Sequence, residues 1–368
     1  IFEFNCLFRM SILTWEQAME GEKNGSRATL TSAVLTRKNL SDVSCLSEFR
    51  NLERLDLSFN SLETLEALKS CANLKWLSVS QNKLETLQGI QELCKLSVLN
   101  AGKNKLKSME QVRSIGSLRA LILNDNEIAS ICKLETKELN TLVLSRNPIR
   151  EIGSSLKKLK SLTKLSLSHC QLETIGSSLE NCFELREARF SHNDIKSLPT
   201  EIKHNKKLQN LDVGNNVITK WADVKVLESL TSLKSLNIAG NPVAENPKFL
   251  GKVKNALFKL RVFNSRPLES MKKSVKERVE KREKYTQFDE KTKKGKKKMS
   301  EIEVLDDCEA SFVDIVAAKS AEISEDFGEI EPLVVVAPSK KRKVIINKPM
   351  IDLHVEDIGL GGVSAWDD

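Results

Sequence analysis

The 368 residues include one tyrosine and four histidines, and aromatic side chains make up only 5%. That scarcity leaves few groups for acid–base or metal chemistry. No G-x-S-x-G, phosphate-binding loop, H-E-x-x-H or paired-carboxylate spacing stands on a suitable element. No apolar run approaches the roughly 20 residues of a membrane span; the longest clear one is Leu333-Val334-Val335-Val336. The cysteines at 6, 45, 71, 94, 132, 170, 182 and 308 form no C-x-x-C and match no zinc module. They read as reduced, mostly buried small apolar residues. These absences lean away from an enzyme and imply no cofactor. What remains is a basic chain, net +8, whose 40% hydrophobic content suffices for a packed core.

Self-similarity decides the fold. The register L-x-x-L-x-L-x-x-N reads Leu52-Leu55-Leu57-Asn60, Leu74-Leu77-Val79-Asn82, Leu96-Leu99-Ala101-Asn104, Leu118-Leu121-Leu123-Asn126 and Leu139-Leu142-Leu144-Asn147. It continues as Leu162-Leu165-Leu167-Cys170, Leu185-Ala188-Phe190-Asn193, Leu208-Leu211-Val213-Asn216 and Leu233-Leu236-Ile238-Asn241. A degenerate first copy is Leu30-Ala33-Leu35-Lys38. Successive ninth positions lie 21 to 25 residues apart, most of them 22 or 23. Alternation around the fourth and sixth positions makes a short strand with one side chain in and the next out. The leucines bury between coils, because one repeat cannot bury its apolar face alone. The ninth-position Asn turns the chain out of the strand and satisfies backbone groups there. Cys170 reads as a structural substitute at that position; Lys38 cannot replace the amide, which fits a frayed terminal copy.

These copies resemble the leucine-rich repeat superfamily. The 22-residue copies, such as LKWLSVSQNKLETLQGIQEL from Leu74, look like the subclass of the 22-repeat regulatory subunit of protein phosphatase 1. The spliceosomal A-prime protein shares that repeat, as do the acidic leucine-rich nuclear phosphoproteins. The resemblance implies an α/β fold: a curved horseshoe solenoid of about ten repeats. A parallel sheet would line its concave side, and short helical or 3-10 segments the convex side. Gly240-Asn241-Pro242-Val243 and the stretch to Leu260-Arg261-Val262-Phe263-Asn264 resemble the C-terminal cap of the subclass, with a helix expected over about 246–258.

The flanks read differently. Residues 1–9 precede Met10 and are expected to be translated leader sequence or a fragment, with Met10 the true start; they lack the form of a secretory signal. Thr14-Trp15-Glu16-Gln17 has the capping-box form, with a short helix expected over 15–22. Beyond 264 the leucine period stops. Leu268, Met271, Val275 and Val279 are spaced for a basic amphipathic helix running off the cap. Alternating charge blocks then argue for disorder from about 286. The expected organisation is a leader and capping helix over 1–27, the solenoid over 28–264, a basic helix over 265–285 and a disordered charged tail over 286–368.

Within that tail, Pro338-Ser339-Lys340-Lys341-Arg342-Lys343-Val344 resembles the nuclear-import signal of the viral large T-antigen type. Four clustered cations after a Pro can lie extended in an acidic receptor groove. This implies an import receptor as one partner and a nuclear location, alone or shared with the cytoplasm, without secretion or membrane anchoring.

The third, fifth, seventh and eighth positions of each copy are expected on the concave side. They supply a candidate protein-binding surface of Phe59, Trp76, Val98, Ile122, Asp125, Arg146, His169, Arg189 and His192. Phe59 and Trp76 stand in adjacent copies beside Val98 and Ile122, the composition of a binding hot spot. The alternative is that Trp76 folds over and packs on the next coil. His169 and His192 share a column one coil apart, but the intruding Arg189 argues against a metal. The face lacks a continuous basic stripe with aromatics, so nucleic acid is not its expected ligand. The sequence therefore reads as a non-catalytic protein-interaction scaffold. The alternatives are a regulator of a protein phosphatase 1-like catalytic subunit and a nuclear ribonucleoprotein or splicing assembly factor. One experiment addresses location directly. A fluorescent fusion with Lys340, Lys341, Arg342 and Lys343 all changed to Ala should move from nucleus to cytoplasm; unchanged accumulation removes the role from this motif.

Overall fold

A computed structural model describes residues 11–20 and 29–268. The expected leader, the expected basic helix past 268, the tail and its import motif lie outside the described residues. Every copy of the repeat forms one three-residue strand at its third to fifth positions. The first is β2 (Ser32–Val34), preceded by β1 (Ser11–Ile12) and α1 (Trp15–Ala18) and followed by β3 (Leu40–Asp42). Then come β4 (Arg54–Asp56), β5 (Trp76–Ser78), β6 (Val98–Asn100), β7 (Ala120–Ile122) and β8 (Thr141–Val143). The series ends with β9 (Lys164–Ser166), β10 (Glu187–Arg189), β11 (Asn210–Asp212) and β12 (Ser235–Asn237). Each strand pairs in parallel with the next, fourth position opposite fourth position.

The fourth and sixth positions point inward and are buried in every copy. Copy eight places Ala188 at the fourth and Phe190 at the sixth, both fully buried. The small and large side chains exchange places within one coil, which conserves core volume. One continuous apolar core runs from Leu13 to Phe263. Opposite the sheet, short 3-10 segments such as Ser44–Glu48, Glu66–Ser70 and Thr200–His204 return the chain. Among the described residues no helix is long and apolar enough to cross a membrane.

The ninth-position asparagines tie the coils together. Asn126 Nδ2 donates to the Ala101 carbonyl of the previous coil at 3.1 Å and to the Leu123 carbonyl of its own coil at 3.0 Å. Its Oδ1 accepts from Leu106 N of the previous coil at 3.0 Å. Asn60, Asn82, Asn104, Asn147, Asn193, Asn216 and Asn241 repeat the pattern. Cys170 keeps only half of it. Its thiol donates to Leu144 O at 3.3 Å, but a thiol is a weak acceptor, and Ile149 N turns instead to Asn147 O at 2.8 Å. Burial pushes the Cys170 thiol up to about 11, so it is a structural and not a reactive group. Cys71 and Cys132 are likewise raised to about 11 by burial, and Cys182 to about 12.

The two ends show differences from the sequence reading. At the start, Thr14 closes the expected capping box with Gln17, and α1 ends at Ala18. The degenerate first copy nonetheless forms β2, and Lys38 N donates to Asn60 Oδ1 at 3.0 Å. A separate two-stranded sheet, β1 beside β3, had no sequence signal. At the other end, the single helix expected over 246–258 is two: α2 (Pro242–Glu245) and α3 (Phe249–Ala256). Asn246 precedes Pro247 and is held extended at φ −67°, ψ 119°, which breaks the helix. The sheet also runs past 264. Asn264 and Ser265 take left-handed φ of 48° and 60° and turn β13 (Val262–Phe263) back into antiparallel β14 (Arg266–Pro267). A basic helix therefore cannot begin at 265; the backbone becomes helical at Leu268.

Buried-leucine truncation leaves a cavity, so Leu121→Ala should lower the unfolding free energy by about 2–5 kcal/mol. Asn126→Ala, which orphans buried backbone groups, should lower it by about 1–3 kcal/mol. Cys170→Ala should cost less than Asn126→Ala, because Cys170 satisfies fewer of those groups. Denaturant titration of the purified chain checks all three, and equal losses at 126 and 170 would contradict the bonding described.

Candidate protein-binding surface

The side chains of this face have two supports. Third- and fifth-position residues stand on the strands. Eighth-position residues stand on the turn just beyond them, where all ten copies adopt φ between +51° and +69°. Only Gly240 among these is a glycine, so nine L-residues hold a conformation that costs roughly 1–2 kcal/mol each. The cost is met because this turn delivers the following side chain to its inter-coil hydrogen bonds. The consequence for the surface is a fixed column: Arg37, Phe59, Gln81, Lys103, Asp125, Arg146, His169, His192 and Asn215. Phe59, Asp125, Arg146, His169 and His192 thus sit along the exit rim of the sheet, not on the sheet as expected. Trp76, Val98, Ile122 and Arg189 are the candidates that stand on strands.

Each of the two rings is capped by an arginine. The Arg54 guanidinium lies 3.7 Å from the Trp76 ring centroid, and Arg37 lies 4.4 Å from that of Phe59. Each cation stands in the same column as its ring, one coil earlier. Reading the columns across copies one to three would have found both arginines. Trp76 is half-buried, and its Nε1 is buried without a hydrogen-bond partner among the described residues. The indole therefore lies down on the sheet with one face covered by Arg54. Phe59 is 40% exposed, and Val34, on β2, is 62% exposed. Val34 was not among the expected residues.

Val98 and Ile122 do not serve as expected. Each retains only 6% exposure. Parallel strands hold same-position neighbours about 4.8 Å apart, and Val98 stands between Trp76 and Ala120, Ile122 between Asn100 and Val143. A residue in such a column is closed over by its flanking side chains. Serines pair across coils on either side of this section: Ser58 with Ser78, in copies two and three, at 2.7 Å and Ser145 with Ser166, in copies six and seven, at 2.6 Å. The apolar side chains in the middle of the face are closed off by their strand neighbours.

Polar pairs occupy the far half. Asp125 and Arg146 approach to 3.7 Å, and Arg189 Nε donates to Glu187 at 3.1 Å. The His169 and His192 rings stack with centroids 4.0 Å apart and planes 10° apart, and His192 Nε2 meets Asn215 Nδ2 at 3.0 Å. Among the described residues no group of three or more His, Cys, Asp or Glu is arranged to hold a metal ion. The arrangement presents fixed apolar, polar and charged groups to another surface.

A guanidinium on an indole contributes about 0.5–2 kcal/mol, depending on its desolvation. A double-mutant cycle of Arg54→Ala and Trp76→Ala, read by denaturant unfolding, should return a coupling in that range. Additive single effects would separate the two side chains.

The Leucine Rich Repeat family profile matches residues 51–71 and 161–182. No curated protein sequence matches the chain. Among solved structures, a leucine-rich-repeat protein of Leptospira interrogans is 28% identical with a TM-score of 0.59, over 62% of this chain and 59% of that one. The chain thus spans about three-fifths of that protein's length. A TDR receptor is 21% identical with a TM-score of 0.54, over 64% of this chain and 46% of that one. TLR13, in complex with ssRNA13, is 22% identical with a TM-score of 0.51, over 64% and 36%. The ten stacked coils, their asparagine ladder and these likenesses agree: the chain carries leucine-rich repeats and folds as a leucine-rich-repeat solenoid.

Proposed function

We propose that the chain is a non-catalytic scaffold that binds a protein partner on its strand-lined face, anchored at copies one to three. The observation that carries this reading is the exposed Val34 and Phe59 and the half-buried Trp76 on successive copies, with Arg37 and Arg54 over the two rings. Interface hot spots are enriched in tryptophan and arginine. The half-buried indole ring is already held in place, so a partner that covers it orders little further. Val98 and Ile122, closed over by their neighbours, are dropped from the anchor, which shifts it towards the first coils. Asp125, Arg146 and Arg189 act as charged groups of a polar flank, completed by His169 and His192, that steers association more than it holds the complex.

Nuclear entry through Lys340 to Lys343 belongs to the same proposal, since it brings the scaffold to its partner. Regulation of a phosphatase catalytic subunit, or assembly of a ribonucleoprotein, would be particular cases of this binding. No contact among the described residues favours one over the other.

The full chain should be used as bait, with co-purifying proteins quantified by mass spectrometry. Lys160→Ala, on the opposite side, should leave the partner profile unchanged. Trp76→Ala should weaken the principal partner by at least about 2 kcal/mol, roughly thirtyfold in affinity. Retention of every partner by a folded Trp76→Ala chain would remove the face from the reading.

A further inference from the structure

The last coil ends in a groove of about 690 Å³ between the end of α3 and the β13–β14 turn. Leu257, Phe258, Leu260, Val262, Pro267 and Leu268 line it. Leu257 and Leu260 form its buried floor, whereas Phe258 stands 74% exposed at its edge, the most exposed large apolar side chain among the described residues. Alone such a ring would be ordinary, but beside an apolar groove it extends one surface that a further segment can cover. The chain itself leaves from this place. Leu268 N donates to Arg261 O at 2.8 Å, the Leu268 side chain packs against the core, and the backbone turns helical there.

The sequence after Leu268 has the matching pattern. Met271, Val275 and Val279 lie three, seven and eleven residues beyond it. On a helix these positions fall on one stripe within about 80° of arc. Eleven residues span about 17 Å, enough to cross the end of one coil. Lys273, Lys276, Glu277, Glu280 and Lys281 occupy the remaining arc, so only one face is apolar.

We propose that residues 269–279 fold back as a helix whose Met271–Val275–Val279 stripe occupies the groove and covers Phe258, sealing the C-terminal end of the core. The occupant is this chain and not a second copy, because Leu268 already seats the first member of the stripe in the groove. Its effective concentration there is that of a tethered neighbour with no linker to close. Met271 suits the irregular groove, since its unbranched side chain fills uneven gaps. Lys254 and Arg261, which also line the groove, fit a short acidic neighbour, and Glu269 is the first residue of the segment.

Amide hydrogen exchange on the full chain, followed by peptide mass spectrometry, tests this. The Met271→Asp/Val275→Asp variant should exchange at least tenfold faster across 257–268 while residues 96–145 remain protected as in wild type. Unchanged exchange across 257–268 overturns the proposal. Should the variant lose protection everywhere, wild-type cross-linking with a lysine-specific reagent decides. Intramolecular Lys254–Lys272 or Lys254–Lys276 links are expected, and their absence overturns it. Protection of 257–268 that grows with protein concentration, alongside a dimeric mass in solution, would assign the groove to a second copy instead.

Discussion

The structure rests on the carboxamide that eight of the ten coils carry at the ninth position. A solenoid of three-residue strands has little sheet to hold it, and each coil leaves the strand through one left-handed residue, which is not a glycine in nine of the ten coils. The asparagine after that turn bonds forward and back, to its own coil and to the one before. Each buried backbone group left unpaired would cost about 1–3 kcal/mol, so the bonds outweigh the roughly 1–2 kcal/mol of the turn. Leucine burial gives the stack its driving force, and the amide sets where each coil sits on its neighbour. Cross-coil ion pairs such as Lys107–Glu85 at 3.0 Å and Lys75–Glu53 at 2.8 Å add little, since both partners are largely in solvent.

That dependence explains what could be read from the sequence. The strands follow from a period, and the period is enforced by the one residue type able to make the ladder. Even the first copy, with Ala33 and Lys38 in place of Leu and Asn, forms its strand because Asn60 of the next coil reaches back to it. The break at Asn246-Pro247 was also legible in principle, from the proline alone. The β1–β3 sheet was not, because two-residue strands carry no period. Nor was the turn at Asn264–Ser265, which relies on left-handed φ at residues that do not demand it.

The surface was only partly legible for a related reason. A repeat is read along the chain, but exposure is decided across it. Val98 looks outward within its own copy and is closed off by Trp76 and Ala120 in the copies on either side. Phe59 and Trp76 look like a bare aromatic pair along the chain and acquire Arg37 and Arg54 from the coils before them. The two halves of the face differ as a result. The first coils offer rings held beneath cations, the later ones a run of matched polar pairs, and the closed-over Val98 and Ile122 lie between them.

Cys170 gives the stack a seam. At that junction the sulfur fastens one carbonyl of the coil below, Ile149 N turns to a bond within its own coil, and Pro148 has no amide hydrogen to contribute. A lone bridge between Glu151 and Thr174 stitches the coils together a few residues further on. In a chain of nearest-neighbour links each junction carries its own share of the stability. At this one the load passes from the amide to its surroundings: β8 and β9 stay paired residue for residue, Ser145 meets Ser166 at 2.6 Å, and the Thr163 hydroxyl donates to Asn140 O at 2.9 Å.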